Sequence, residues 1–158
     1  MTVRLWRIAT EAAEYKALDA SGTGAKLTGG RWNHRGVAVV YTSPSIALAA
    51  LETIVHLNAG ALPLNRYLIR IDVPEHVWDN RLAIDKDNAP GGWDAEPAGL
   101  SSLEFGDEWV RSGVSALLCV PSVVIPMEQN VLINPAHPDA SDLSFTNTGK
   151  FVFDERIR

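Results

Sequence analysis

The sequence predicts an α+β domain, a mixed β-sheet with flanking helices, and three observations carry that prediction. Asn65 to Val73 alternates Tyr67, Ile69, Ile71 and Val73 with Leu68, Arg70 and Asp72, the period-two pattern of a half-exposed strand, ended by Pro74. Ser115 to Val120 is an unbroken, largely apolar run of the kind found in a fully buried strand. Helical and extended stretches follow one another without a regular strand–helix–strand alternation, which argues against a doubly wound sheet. At 158 residues the chain fits one domain, residues 1–158.

Taken in order, Val3 to Ile8 reads as a first strand, and Thr10 can cap a helix over Glu11 to Leu18. Asp19 to Gly30, glycine-rich and polar, reads as a loop. Val37 to Tyr41 is a short β-branched run bounded by Gly36 and Ser43-Pro44, the mark of a buried strand. Ser43 is a good N-cap and Pro44 suits a first helical turn, so a helix is expected over Pro44 to Leu57, ending near Asn58-Ala59-Gly60. Pro74 to Gly99 is the least regular stretch and is expected to wrap the surface with Trp78 and Trp93 as anchors. Ser101-x-x-Glu104 has capping-box spacing and opens a helix through Trp109 to Arg111, stopped by Gly113. After Ser122, Val123 to Pro126 is read as extended, Asn130 to Asn134 as a strand and Ser141 to Thr148 as a polar loop. Lys150 to Arg158 is read as a last strand with Phe151 and Phe153 on one face.

Composition excludes several functions. With 14 Lys and Arg against 19 Asp and Glu, the formal charge is -5, and the clustered cations that phosphate contacts need are missing, so direct nucleic-acid binding is not expected. A single cysteine rules out an internal disulfide and a Cys-based zinc site within one chain. His34, His56, His76 and His137 show no metal-ligand spacing, so no metal is expected. The amino terminus lacks a secretory apolar region and no apolar run approaches a membrane span, which makes the cytoplasm the expected location, away from membranes. The glycines give no dinucleotide fingerprint, because the required strand, spacing and helix are missing.

The most informative stretch runs from Gly29-Gly30-Arg31-Trp32-Asn33-His34-Arg35-Gly36 through Tyr41 to Glu52. Paired glycines let a backbone turn or approach a ligand closely, and Arg31 follows with the planar fork suited to diphosphate or carboxylate. Glu52 lies four residues after Leu48 and three before Val55, on an apolar face where a carboxylate is not freely solvated. It should meet a cation, hydrogen-bond donors or a ligand, with Arg31 and Tyr41 nearest in sequence. Spacing leaves two readings open: a structural ion pair locking helix to strand, or a site. His56, one turn beyond Glu52, could line the same cleft. Cys119 reads as core. Ser122 follows an apolar strand, but Pro121 and Val123 are not the glycines of a nucleophile elbow, so its hydroxyl is read as a hydrogen-bonding group.

These segments together resemble the RES-domain family, the toxins of bacterial RES–Xre type II toxin–antitoxin pairs. The matching pieces are Gly30-Arg31-Trp32-Asn33 with Gly36, Val40-Tyr41-Thr42-Ser43, Ala47 to Glu52 with His56, and Val120-Pro121-Ser122 running on to Asn134-Pro135-x-His137-Pro138. The resemblance implies an ADP-ribosyltransferase-like fold and an attack on NAD, as substrate and not cofactor, that depletes the cell's pool and arrests growth. It implies Arg31, Tyr41 and Glu52 as the catalytic group and a binding cleft in which Ser122, Trp32 and His56 join Arg31 and Tyr41. Ser122 would then donate to the nicotinamide amide or a ribose oxygen. An Xre-family helix-turn-helix antitoxin is the implied partner, with self-association of the toxin inside that complex. Two alternatives stand beside NAD depletion: ADP-ribosyl transfer to a protein, and a non-catalytic interaction module.

Overall fold

The computed structural model describes residues 1–13, 16–56 and 64–157. The chain runs β1 (Thr2–Thr10), α1 (Thr23–Thr28), β2 (Val40–Thr42), α2 (Ile46–Val55), β3 (Arg66–Pro74), α3 (Glu75–Asp79), β4 (Leu82–Ala83), α4 (Leu100–Ser112), β5 (Leu117–Pro121), β6 (Gln129–Ile133), a 3-10 turn (Pro138–Asp142) and β7 (Ser144–Lys150). Two sheets result: an antiparallel one in the order β1-β3-β7, and a mixed one in the order β2-β6-β5-β4, in which β4 runs parallel to β5. The α+β expectation is borne out.

Alternation places the core. Ile69, Ile71 and Val73 of β3 join Leu5, Val40, Leu117, Cys119, Val131 and Ile133 in one apolar cluster shared by both sheets. Leu118, Val120 and Leu132, the intervening residues of β5 and β6, join a second cluster with Trp32, Val39, Trp93 and Trp109. The mixed sheet is therefore covered on both faces, which is why β5 reads as a continuous apolar run and is buried along its whole length. Cys119 is core, as expected.

Several elements differ from the sequence expectation, each for a physical reason. The described residues of Glu11 to Leu18 form no helix; the Glu11 carboxylate instead accepts the Ala17 N–H at 2.7 Å, and Glu14 and Tyr15 lie outside the described residues. The expected loop Asp19 to Gly30 contains α1, bracketed by Gly22 at φ 75° and Gly29 at φ 73°. The strand expected over Val37 to Tyr41 is the shorter β2, because Asn33 Nδ2 reaches the Ala25, His34 and Val37 carbonyls and holds the preceding residues in a turn. Ser45, not Ser43, caps α2 by accepting the Leu48 N–H at 3.1 Å, and the expected helix end at Leu57 and Asn58 to Gly60 lies outside the described residues. Gly99 precedes α4 with no side-chain cap, so the Ser101/Glu104 capping box does not form; Gly113 at φ 64° does end the helix.

Pro74 to Gly99 holds α3 and β4, and Val123 to Pro126 bends instead of extending. The polar stretch Ser141 to Thr148 is mostly β7, an edge strand whose outward residues need no apolar pattern. Lys150 is its last residue, and beyond it Phe151 and Phe153 pack edge to face at 4.8 Å without forming a strand. α4 docks through Gly106, where an added Cβ would stand 1.7 Å from the Trp32 carbonyl oxygen. That close approach fixes the turn carrying Arg31.

Candidate active site

A cavity of about 550 Å³ opens between β1, the Gly29–Trp32 turn, β2, α2 and the ends of β5 and β6. Its volume falls within the roughly 300–1,000 Å³ typical of small-molecule sites. Arg31, Trp32, Tyr41, Glu52 and His56 all line it, together with Arg7, Arg66 and Asn130. Ser122 adjoins through its neighbours Pro121 and Val123.

Glu52 sits on α2 beyond buried Leu48 and Ala49, while Val55 is 53% exposed, so the apolar stripe ends at the carboxylate instead of running past it. Its Oε1 accepts two hydrogen bonds, from Ser122 Oγ at 2.6 Å and from Asn130 Nδ2 at 2.8 Å. No protein donor reaches Oε2 among the described residues. The expected pairing with Arg31 or Tyr41 is not what the structure shows. Ser122 directly follows β5, and its hydroxyl oxygen accepts the backbone N–H of Val124 at 3.1 Å and of Ile125 at 3.0 Å while its one proton goes to Glu52. In this arrangement the Ser122 proton is engaged by Glu52 and its oxygen by two backbone N–H groups.

Arg31 turns the other way. Its Nη1 donates to the Trp93 and Ala95 carbonyls at 3.0 and 2.7 Å, and Nη2 donates to Glu96 Oε2 at 2.7 Å. The arginine side chain is 12% exposed and its glutamate partner 79%. One half of the guanidinium therefore shapes the 93–96 segment, and the other half meets an anion that solvent can easily take back.

Tyr41 braces the arginine turn. Its hydroxyl accepts the Trp32 N–H at 3.0 Å and donates to Asn33 Oδ1 at 2.6 Å, and a Cβ on Gly30 would stand 2.7 Å from the Tyr41 hydroxyl oxygen. His34 adds a second tie, its N–H donating to Asp107 Oδ1 at 3.0 Å and its ring Nδ1 contacting Asp107 Oδ2, which pins the turn to α4. Trp32 is buried and packs edge to face on Phe105 at 6.0 Å. His56 Nδ1 donates to the Glu52 carbonyl at 2.6 Å, so in the neutral ring Nε2 is left as an acceptor at the cavity rim.

Burial pushes the Tyr41 phenol well above its ordinary pKa, against the smaller opposing effect of the Trp32 N–H. The folded state keeps this proton when an unfolded tyrosine loses it near pH ~10, so stability present below that pH falls as pH rises further. Tyr41→Phe should cost about 1–3 kcal/mol by leaving the Trp32 N–H and Asn33 without their partner. It should also shrink the loss of stability between pH 8 and 10.5, measured by denaturant unfolding at both.

Asn130, Ser43, Arg7 and Arg66 are among the polar cavity groups that the sequence did not point to. Asn130 and Ser43 lie in stretches read as strand and helix cap, and Arg7 and Arg66 on strands with no motif around them. The one available signal was an asparagine opening the apolar run Val131-Leu132-Ile133, a polar group that a buried strand keeps only when it is bonded. Elsewhere, His76, Asp139 and Asp142 bring ligand atoms within 4.8 Å of one another, with His76 Nε2 3.0 Å from Asp142 Oδ2. The histidine spacing could not have indicated that grouping.

Fold and site together define an α+β domain with a carboxylate held in a cleft among arginines. The chain belongs to the RES domain family, whose model matches residues 4–154. The expected ADP-ribosyltransferase-like class is thereby borne out. The chain is 55% identical over 157 residues to a protein of Sphingobium sp. (strain YBL2) named Prs ADP-ribosylating toxin, covering 99% of this chain and 98% of that one. It is 39% identical over 140 residues to a protein named Toxin Res of Photorhabdus laumondii, covering 87% and 86%. It is 35% identical over 145 residues to Toxin Res of Yersinia enterocolitica, covering 91% and 93%. Among the described residues no helix is long and apolar enough to cross a membrane.

Proposed function

We propose that this RES-domain protein is a toxin, an NAD-consuming enzyme of ADP-ribosyltransferase type that cleaves the nicotinamide–ribose bond and passes the ADP-ribosyl group to a protein. The observation that carries the cleavage step is Glu52, an anion with one oxygen saturated by Ser122 and Asn130 and the other without a donor among the described residues, in a cavity that three arginines line. As the bond breaks, nicotinamide leaves as a neutral molecule with the bonding pair, and positive charge spreads over the ribose C1′ and ring oxygen. A fixed carboxylate stabilises that charge where it develops. An acceptor X–H then bonds to C1′ and releases its proton, so NAD and acceptor give the ADP-ribosylated acceptor, nicotinamide and a proton.

Arg7, Arg31 and Arg66 bring positive charge to the cavity of an otherwise acidic chain, which suits a diphosphate. Glu96 occupies the Arg31 Nη2 position that such an anion would take. Because Glu96 is exposed, its displacement costs no more than about 1 kcal/mol. Glu96→Ala should therefore lower KM for NAD by about two- to fivefold with kcat unchanged, as read from initial rates.

Transfer to a protein is favoured over capture by water or phosphate by the name of the relative that matches at 55% across nearly the full length of both chains. Family resemblance supports an Xre-type helix-turn-helix antitoxin that covers the cleft, toxin self-association in that complex, and action in the cytoplasm, where NAD is available. Incubation with NAD labelled on the adenylate, with and without bacterial lysate, tests the acceptor. Label on a protein band supports transfer, label in free ADP-ribose or its phosphate ester points to NAD depletion, and intact NAD in both samples overturns the proposal.

A further inference from the structure

The geometry points to Asn130 as the positioning residue that aims the Glu52 carboxylate, deciding which of its oxygens faces the ligand. This inference rests on the NAD-cleaving role proposed for Glu52. Asn130 lies in β6 opposite Val120 of β5, whereas Ser122 lies in the segment just after β5, and the Asn130 Nδ2 donates to the same Oε1 that Ser122 holds. A carboxylate on one hydrogen bond can swing about it. Two donors from different directions on one oxygen remove that freedom and leave Oε2 as the acceptor open to a substrate.

The amide orientation is forced. Asn130 Oδ1 accepts the Ser43 hydroxyl at 2.7 Å, and turning the amide over would set that oxygen against Glu52 Oε1, acceptor against acceptor. Ser43 is 4% exposed and its backbone is bonded both ways to Trp6, N–H to carbonyl at 2.9 Å and carbonyl to N–H at 2.8 Å. The outer end of the relay is thus anchored where β1 meets the end of β2. The chain Ser43–Asn130–Glu52 passes positional order from a rigid sheet contact to the reacting carboxylate. Ser43 is spent on this and not on capping α2.

Asn130→Asp tests the donor itself, since it keeps the size and the Ser43 contact but replaces the N–H by an acceptor. It should lower kcat for NAD cleavage by about 10- to 100-fold while KM for NAD stays within about twofold. Asn130→Ala should match it, and Ser43→Ala should lower kcat less, again at constant KM. An Asn130→Asp protein with near-native kcat, or an Asn130→Ala protein that loses thermal midpoint but not turnover per folded molecule, would show a packing role and overturn the inference. A raised KM at constant kcat would place Asn130 on the substrate and overturn it too. Wild type and Glu52→Gln are run beside them: an inactive wild type removes the proposed function itself, whereas an active wild type with an inactive Glu52→Gln and an unaffected Asn130→Asp removes only the positioning role.

Discussion

Glu52→Gln should abolish growth arrest on expression while the protein remains folded. The glutamine side chain has the same shape, and its carbonyl oxygen can still accept from Ser122 and Asn130, so the local network survives. What disappears is the negative charge opposite the ribose. Loss of a fixed electrostatic group of this kind costs about 3–4 kcal/mol at the transition state, roughly 10²- to 10³-fold in kcat. Circular dichroism and the thermal midpoint should stay near wild type. Were Glu52 only a structural anion, the same change would move the midpoint and leave arrest in place.

Gly106→Ala should be the most damaging single methyl group in the described chain. The new Cβ would stand 1.7 Å from the Trp32 carbonyl oxygen, 2.7 Å from its carbon and 2.9 Å from its Cβ, and the two backbone atoms cannot rotate away. α4 would have to lift off the turn, opening the Trp32–Phe105 contact and the Asp107 bonds to His34. Overpacking by one methyl commonly costs about 1–3 kcal/mol, and a backbone overlap this deep belongs above that range. The thermal midpoint should fall by at least about 6–12 °C. Activity should fall with it, because Arg31 is the residue before Trp32. Gly113→Ala is the control: its φ of 64° strains an alanine, yet nothing lies within 4 Å, so about 1 kcal/mol is expected.

What could be read from the chain was what local sequence controls. The Gly29–Gly36 turn, the strand ending near Tyr41, the helix carrying Glu52, and Ser122 just past a buried strand all follow from short-range propensity, although the cap of that helix is Ser45 and not the expected Ser43. Partners could not be read, because they lie far off in sequence: Glu96 is 65 residues from Arg31, Ser122 is 70 and Asn130 78 from Glu52. A Glu52 carboxylate out of full solvent contact does require donors, and they are the nearest in space and not the nearest in sequence.

Two elements were hidden for other reasons. α1 consists of six residues between two glycines of positive φ, a composition that reads as loop until tertiary contacts hold it. β7 is polar because it borders the sheet, and an edge strand needs no apolar alternation to be paired on one side. The short β2 shows the reverse effect. Val37 to Val39 have strand propensity, but the Asn33 amide claims the Val37 carbonyl, and one buried side chain outweighs the local preference.

Nicotinamide release from NAD by the purified protein, followed by chromatography in the presence of lysate protein as acceptor, reads the proposed chemistry of Glu52 without an intermediary. Wild type should release nicotinamide in step with NAD loss, and Glu52→Gln should release it at least about 100-fold more slowly. NAD left intact by the folded wild-type protein, or equal release by Glu52→Gln, would contradict a cleft in which the Glu52 carboxylate meets the ribose.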